Sequence, residues 1–182
     1  MNKRINNIEV EARSFIDKSE FRRLKNFFDK NGKLTGEIND QTVYFSGPKD
    51  LRIRRDESHA YLILKEGKIH DDHREEIEIN FGREDFGRLE QLLLVLSFKV
   101  EIRWQRRRRI YRWRSVKVFL DDTRGYGQII ELEEMASQKN KVKIHKQLVG
   151  MLESLGIKIT PKEEFNQKFE FYKRNWRNLL MG

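Results

Sequence analysis

The chain has 182 residues, 37% of them apolar and 37% charged, with a formal net charge of +9, four histidines and no cysteine. Its length predicts one domain over residues 1–182, and the absence of cysteine excludes a disulfide framework, a zinc ribbon and a thiol nucleophile. A metal would have to be held by carboxylates or histidines, which favours a hard cation such as Mg2+.

Twelve Phe, five Tyr and three Trp supply a core and argue against disorder. No run approaches the ~18 apolar residues of a membrane span, and Met1–Asn7 lacks the apolar stretch of a secretory signal. A cytoplasmic protein with no membrane partner is expected.

Alternation predicts a first strand over about Ile5–Arg13, and the stripe Phe21, Leu24, Phe27 and Phe28 a helix after it. Strands follow at about Gly36–Phe45, Asp50–Asp56, Ala60–Glu66 and Arg74–Asn80. Ser46-Gly47-Pro48 and Asp56-Glu57-Ser58-His59 read as turns between them, and His70-Asp71-Asp72-His73 as a polar turn rather than a metal site. Phe86, Leu89, Leu93 and Leu96 mark a second helix. Three more strands are expected at Phe98–Tyr111, Ser115–Asp122 and Gln128–Glu134, with Gly125-Tyr126-Gly127 as a hairpin bend. Ile144, Leu148, Leu152 and Leu155 mark a third helix. Thr160 and Pro161 read as the cap and first turn of a fourth, which carries Phe165, Phe169, Tyr172, Trp176 and Leu179 on one side. The fold class is therefore α+β, with about eight mostly antiparallel strands.

Charge is concentrated. Lys99–Lys117 holds nine basic residues against one acidic residue, interleaved with Trp104, Tyr111 and Trp113, which implies an anionic partner. Successive strand side chains point to opposite faces, so Glu9, Glu11 and Arg13 share a face, as do Arg52 with Arg54, Arg74 with Glu76 and Glu78, Arg106 with Arg108, and Glu131 with Glu133. Lys65 and Asp121 end two further strands. Each pair alone fits the watery face of a half-buried sheet. If the strands curl into a barrel, the same residues converge on its lumen. A planar guanidinium grips phosphate through two parallel hydrogen bonds, and paired glutamates suit a hard cation, so a metal-plus-polyphosphate site uses both signs of charge. A nucleic-acid surface accounts for the arginines alone.

Taken in chain order, the set is Glu9-Val10-Glu11-Ala12-Arg13, Arg52-Ile53-Arg54, Lys65, Arg74-Glu75-Glu76-Ile77-Glu78, Arg106-Arg107-Arg108-Arg109-Ile110-Tyr111, Leu120-Asp121, Gly125-Tyr126-Gly127 and Glu131-Leu132-Glu133. This ordered set resembles the CYTH superfamily, the triphosphate tunnel metalloenzymes, which include thiamine triphosphatases, inorganic triphosphatases and class IV adenylate cyclases. The resemblance implies a closed eight-stranded antiparallel β-barrel, or tunnel, with flanking α-helices, that binds a triphosphate-containing small molecule with Mg2+ or Mn2+. It implies metal ligation by Glu9, Glu11, Asp121, Glu131 and Glu133, and phosphate binding by Arg52, Arg54, Lys65, Arg74, Arg106 and Arg108. Glu9, Glu11, Arg13 and Lys65 become the candidate catalytic residues, and Glu76 and Glu78 candidate lining.

Two positions depart from the family pattern. Arg13 stands where the family has lysine, and a guanidinium cannot act as a base near neutral pH. Class IV cyclases resemble one another in a His-Phe pair before the first Glu-x-Glu, where Lys3 and Arg4 stand here. The expected activity is hydrolysis of inorganic tripolyphosphate or of an organic triphosphate such as thiamine triphosphate. The alternatives are a cyclase making cyclic AMP from ATP, and a noncatalytic binder of polyphosphate or RNA. A homodimer through an outer sheet face stays open, with no motif behind it.

Overall fold

The computed structural model describes residues 8–66, 73–74 and 76–181, with the backbone alone for His73 and Arg74. The expected polar turn at residues 70–73 and the start of the first strand thus lie largely outside the described residues. In chain order the elements are β1 (Ile8–Ile16), α1 (Lys18–Asn31), β2 (Lys33–Phe45), β3 (Asp50–Arg55), β4 (Ala60–Lys65), β5 (His73–Arg74), β6 (Glu76–Phe81), a short 3-10 turn (Arg83–Asp85), α2 (Phe86–Val95), β7 (Val100–Trp113), β8 (Val116–Thr123), β9 (Gly127–Ala136), α3 (Lys141–Ser154) and α4 (Lys162–Met181).

Local chemistry sets the boundaries. Asp17 stops β1 and caps α1: its Oδ1 accepts from the backbone N–H of Ser19 at 2.7 Å and of Glu20 at 2.8 Å, while Glu20 Oε2 accepts from Asp17 N–H at 2.9 Å. The β3–β4 turn closes on Asp56 Oδ1, which accepts from Ser58 and His59 N–H, both at 2.8 Å. In the β8–β9 bend Gly125 adopts φ +72°.

Every ladder is antiparallel, and the hydrogen-bonded order is β5-β1-β9-β8-β7-β2-β3-β4-β6. Eight of these strands have six or more residues, as the alternation predicts, and helices flank the sheet. Among the described residues the ladders form an open series rather than the closed ring expected of a barrel. Among the described residues, β1 is paired on its second edge only at Glu9 and Val10. Beyond them the segment before α4 covers that edge: Ser14 Oγ donates to Lys158 O at 2.7 Å, Thr160 N–H donates to Ser14 Oγ at 3.0 Å, and Phe15 N–H donates to Thr160 Oγ1 at 3.0 Å. Thr160 therefore serves the sheet edge. The Pro161 carbonyl accepts the first bonds of α4, from Glu164 N–H at 3.0 Å and Phe165 N–H at 3.2 Å.

Apolar positions on one sheet face bury against three helices. Val10, Ala12, Val118, Leu120, Ile130 and Leu132 meet Leu24 and Phe28 of α1 and Ile144, Leu148 and Leu152 of α3. Val43, Phe45 and Ile53 meet Phe86 and Leu93 of α2. The fourth helix goes to the other face: Phe165, Phe169, Tyr172 and Trp176 pack with Ile102, Tyr126 and Ile129, joined by Tyr44 and Trp104. This helix sits on the charged face because aromatic residues occupy one end of that face and offer its apolar stripe a partner.

Gly125 couples the β8–β9 bend to α4, since a Cβ there would lie 2.6 Å from Leu179 Cβ. A left-handed backbone costs a non-glycine residue roughly 1–2 kcal/mol, and overpacking typically adds 1–3. Gly125→Ala is expected to lower unfolding stability by about 2 kcal/mol or more, measured as a shift of the urea midpoint at unchanged m-value.

Candidate active site

The charged alternation of the strands closes on one cavity of about 580 Å3. Of the candidate residues, Glu9, Glu11, Arg13, Arg52, Arg54, Lys65, Glu76, Glu78, Arg106, Arg108, Asp121, Glu131 and Glu133 all line it. Arg74 is placed only by its backbone, opposite Glu9 in the sheet, and its side chain lies outside the described residues.

Register decides who meets whom. Glu11 stands opposite Glu133 and Arg13 opposite Glu131 across β1 and β9. Lys117 stands opposite Glu133 across β8 and β9, with Nζ 3.1 Å from Glu133 Oε1. Across β7 and β8, Arg108 faces Asp121 and grips it with two bonds, Nε to Oδ1 at 2.7 Å and Nη2 to Oδ2 at 2.6 Å. Arg106 also reaches Asp121, at 3.2 Å, and pairs with Asp40 of β2. On β4, Lys65 lies 2.5 Å from Glu76 and 3.4 Å from Glu9, joining residues from both ends of the strand order.

Aromatic rings hold several of these cations in place. The guanidinium carbon of Arg108 is 4.1 Å from the Phe119 ring centre, that of Arg54 is 4.5 Å from Tyr61, and that of Arg52 is 4.8 Å from Tyr44. Arg52 Nη1 also donates to Tyr44 Oη at 2.7 Å and Nη2 to Asp50 Oδ2 at 2.8 Å, whereas the buried Nε–H groups of Arg52 and Arg54 have no hydrogen-bond acceptor among the described residues. A buried donor without an acceptor is costly.

Burial pushes Glu9 up to about 7; Lys65 opposes the rise, while Glu133, Glu76 and Glu11 reinforce it. Burial and the nearby Glu11 likewise take Glu131 up to about 7 against the pull of Arg108. Burial also works against ionised Asp121, but Arg108 and Arg106 outweigh it and hold its carboxyl below the ordinary range.

These carboxylates offer oxygen donors, the chemistry a hard cation needs, but among the described residues no three converge into a ready-made cage. The donor set fits a cation that takes one or two protein carboxylates and completes its shell with phosphate oxygens and water, the usual habit of Mg2+. Glu11 and Glu133, directly opposite and alike in charge, are the pair a cation would relieve most.

Sequence reasoning did not single out Asp40, Asp50, Tyr44, Tyr61 or Lys117. Asp40 and Tyr44 share strand parity, a signal visible in β2 once its inward face is known. Arg103 and Arg109 belong outside: Arg103 pairs with Glu90 of α2, and Arg109 with Glu37 at 2.7 Å and Asp29 at 3.6 Å. The basic run is thus divided between cavity and exterior.

Residues 7–164 match the family model described as the CYTH domain. The chain belongs to the CYTH family. A protein of Methanocaldococcus jannaschii named as a candidate adenylate cyclase is 30% identical over 162 residues, covering 82% of this chain and 90% of its own length. A solved structure of a Pyrococcus horikoshii protein superposes with TM-score 0.71 at 25% identity, over 85% of this chain and 95% of that one. A Hippeastrum protein, described as a candidate adenylyl cyclase with a dominant triphosphatase activity, shares the fold with TM-score 0.64 at 18% identity, over 90% and 95% of the two chains. Among the described residues of this CYTH protein, no helix is long and apolar enough to cross a membrane.

The unfolded chain releases the Glu9 and Glu131 protons near 4.5, whereas the fold retains them to about 7. The folded form therefore binds more protons across that interval, and its stability falls as pH rises from 4.5 to 7. Asp121 acts in the opposite sense, but only below 3.8. Thermal midpoints in EDTA are expected to be lower at about pH 7.5 than at about pH 5, with Glu131→Gln flattening the difference.

Proposed function

We propose that this protein is a metal-dependent triphosphatase that cleaves a phosphoanhydride bond of a triphosphate inside a charged tunnel. The observation that carries the reading is the shared cavity, where carboxylates of β1 and β9 face guanidinium and ammonium groups of β3, β4 and β7, and two buried arginine N–H groups await an acceptor. A surface built to bind RNA has no need of the opposed Glu11 and Glu133. Closure of the sheet into a barrel belongs to the same proposal. It is supported by β5 and β6, neighbours in sequence at the two ends of the strand order, and by Lys65 touching Glu9 across that seam.

In this reading Arg52, Arg54, Lys65, Arg106 and Arg108 bind the phosphate oxygens and stabilise the departing diphosphate, with Arg74 contributing from β5. Glu9, Glu11, Glu131 and Glu133 hold the metal. A bound Mg2+ or Mn2+ supplies charge neutralisation and lowers the pKa of water. Asp121 is held by Arg106 and Arg108 through both oxygens, and its Oδ1, which accepts one bond, keeps a lone pair for a cation. Arg13 stays protonated and lies 3.1 Å from Glu11, so it orients that carboxylate and leaves the acceptance of a water proton to Glu9 or Glu11. Glu76 and Glu78 neutralise Lys65 and Arg54.

A product assay over tripolyphosphate, thiamine triphosphate and ATP tests the reading. Orthophosphate release that needs Mg2+ or Mn2+ and stops with EDTA is expected. Glu9→Ala and Glu133→Ala are expected to lower it by about 100-fold. Cyclic AMP and pyrophosphate from ATP would establish the cyclase, and tight binding without turnover across both metals a noncatalytic binder. Metal addition is further expected to raise the thermal midpoint more at about pH 7.5 than at about pH 5, because protons compete for the same carboxylates.

A further inference from the structure

Asp40 belongs to none of the charged pairs that mark the family, yet its side chain is only 1% exposed and holds an arginine of the cavity. Its Oδ2 accepts from Arg106 Nε at 3.0 Å and from Nη2 at 2.7 Å, and the two residues stand directly opposite in the β2–β7 ladder. From the other flank, Asp121 Oδ2 accepts from Arg106 Nη1 at 3.2 Å. Three of the five guanidinium N–H bonds are thereby used, and one remains on each terminal nitrogen.

Asp121 gives Arg106 a single bond at 3.2 Å and gives Arg108 two shorter ones, so Asp40 supplies the closer hold on Arg106. Arg106 also stands at a junction. It lines the tunnel cavity and a second, open cavity of about 1180 Å3, and Asp56, Thr123 and Tyr126 line both as well.

We propose that Asp40 is a positioning residue that fixes Arg106 at this junction, so that its two remaining N–H groups meet the end of the phosphate chain in one pose. The inference rests on the triphosphatase reading. A buried carboxylate in an anion site repels the ligand, so attraction gives no reason for Asp40. Geometry does: an arginine on a flexible stem can meet phosphate in many poses, and misplacement by about 1 Å can cost about 100-fold in rate. The β2–β7 ladder places Asp40 against the Nε–Nη2 edge and leaves the distal edge of Arg106 for the substrate.

The test is a double-mutant cycle on the full chain, with steady-state hydrolysis of tripolyphosphate by wild type, Asp40→Asn, Arg106→Lys and the double variant. Asp40→Asn is expected to lower kcat/KM about tenfold. In the Arg106→Lys background the same change is expected to alter it by less than about twofold, because lysine has no Nε–Nη2 edge to hold. Asp40→Glu, which keeps the charge one methylene further out, is the second variant should Asp40→Asn fail to fold, with a similar loss expected. Equal fractional losses in both backgrounds would mean a purely structural Asp40 and overturn the inference. So would an Asp40→Asn enzyme within twofold of wild type. A wild type that neither binds nor hydrolyses tripolyphosphate defeats the underlying reading, whereas an active wild type indifferent to Asp40 defeats this inference alone.

Discussion

The structure depends on charge matching across neighbouring strands. Removing an ion from water costs several kcal/mol, so a cavity lined by arginines and glutamates survives only if each cation meets an anion. The antiparallel register arranges this: Arg108 against Asp121, Arg106 against Asp40, Lys117 against Glu133 and Arg13 against Glu131. Where matching is incomplete, the strain surfaces as chemistry. Glu11 faces Glu133, Glu9 and Glu131 hold their protons to about 7, and two arginine N–H groups have no acceptor among the described residues. In the proposed function, those are the points at which a cation and a polyphosphate would relieve the protein.

Everything outside the cavity serves that arrangement. Three helices bury the apolar face of the sheet, which forces the opposite, charged positions toward one another. The fourth helix closes the aromatic end of the charged face, where Trp104 lies 4.7 Å from Tyr126 and 5.6 Å from Tyr172. Phe165 and Phe169 become cavity lining, and Arg13 lies 5.1 Å from the Phe165 ring. Covering of the β1 edge by Ser14 and Thr160 is coupled to the same helix, because the segment that makes those bonds leads directly into it.

Much of the site was legible because a strand has a period of two. Glu9 and Glu11, Arg52 and Arg54, Arg106 and Arg108, and Glu131 and Glu133 each announce a shared face two residues apart, and their order along the chain resembles one family. Asp40 and Lys117 lack such a neighbour. Their meaning lies in a partner on another strand, and no local pattern records which residue stands opposite.

Residue alternation and helical periodicity by themselves determined the strands, the helices and the sorting of charged from apolar side chains, since each is decided by backbone geometry within a few residues. Register, the coverage of the β1 edge, the seating of α4 on the charged face and the clamp of two aspartates on Arg106 were decided only by the tertiary structure. Each joins segments tens of residues apart, and pairing energy depends on the distance and burial that packing alone sets.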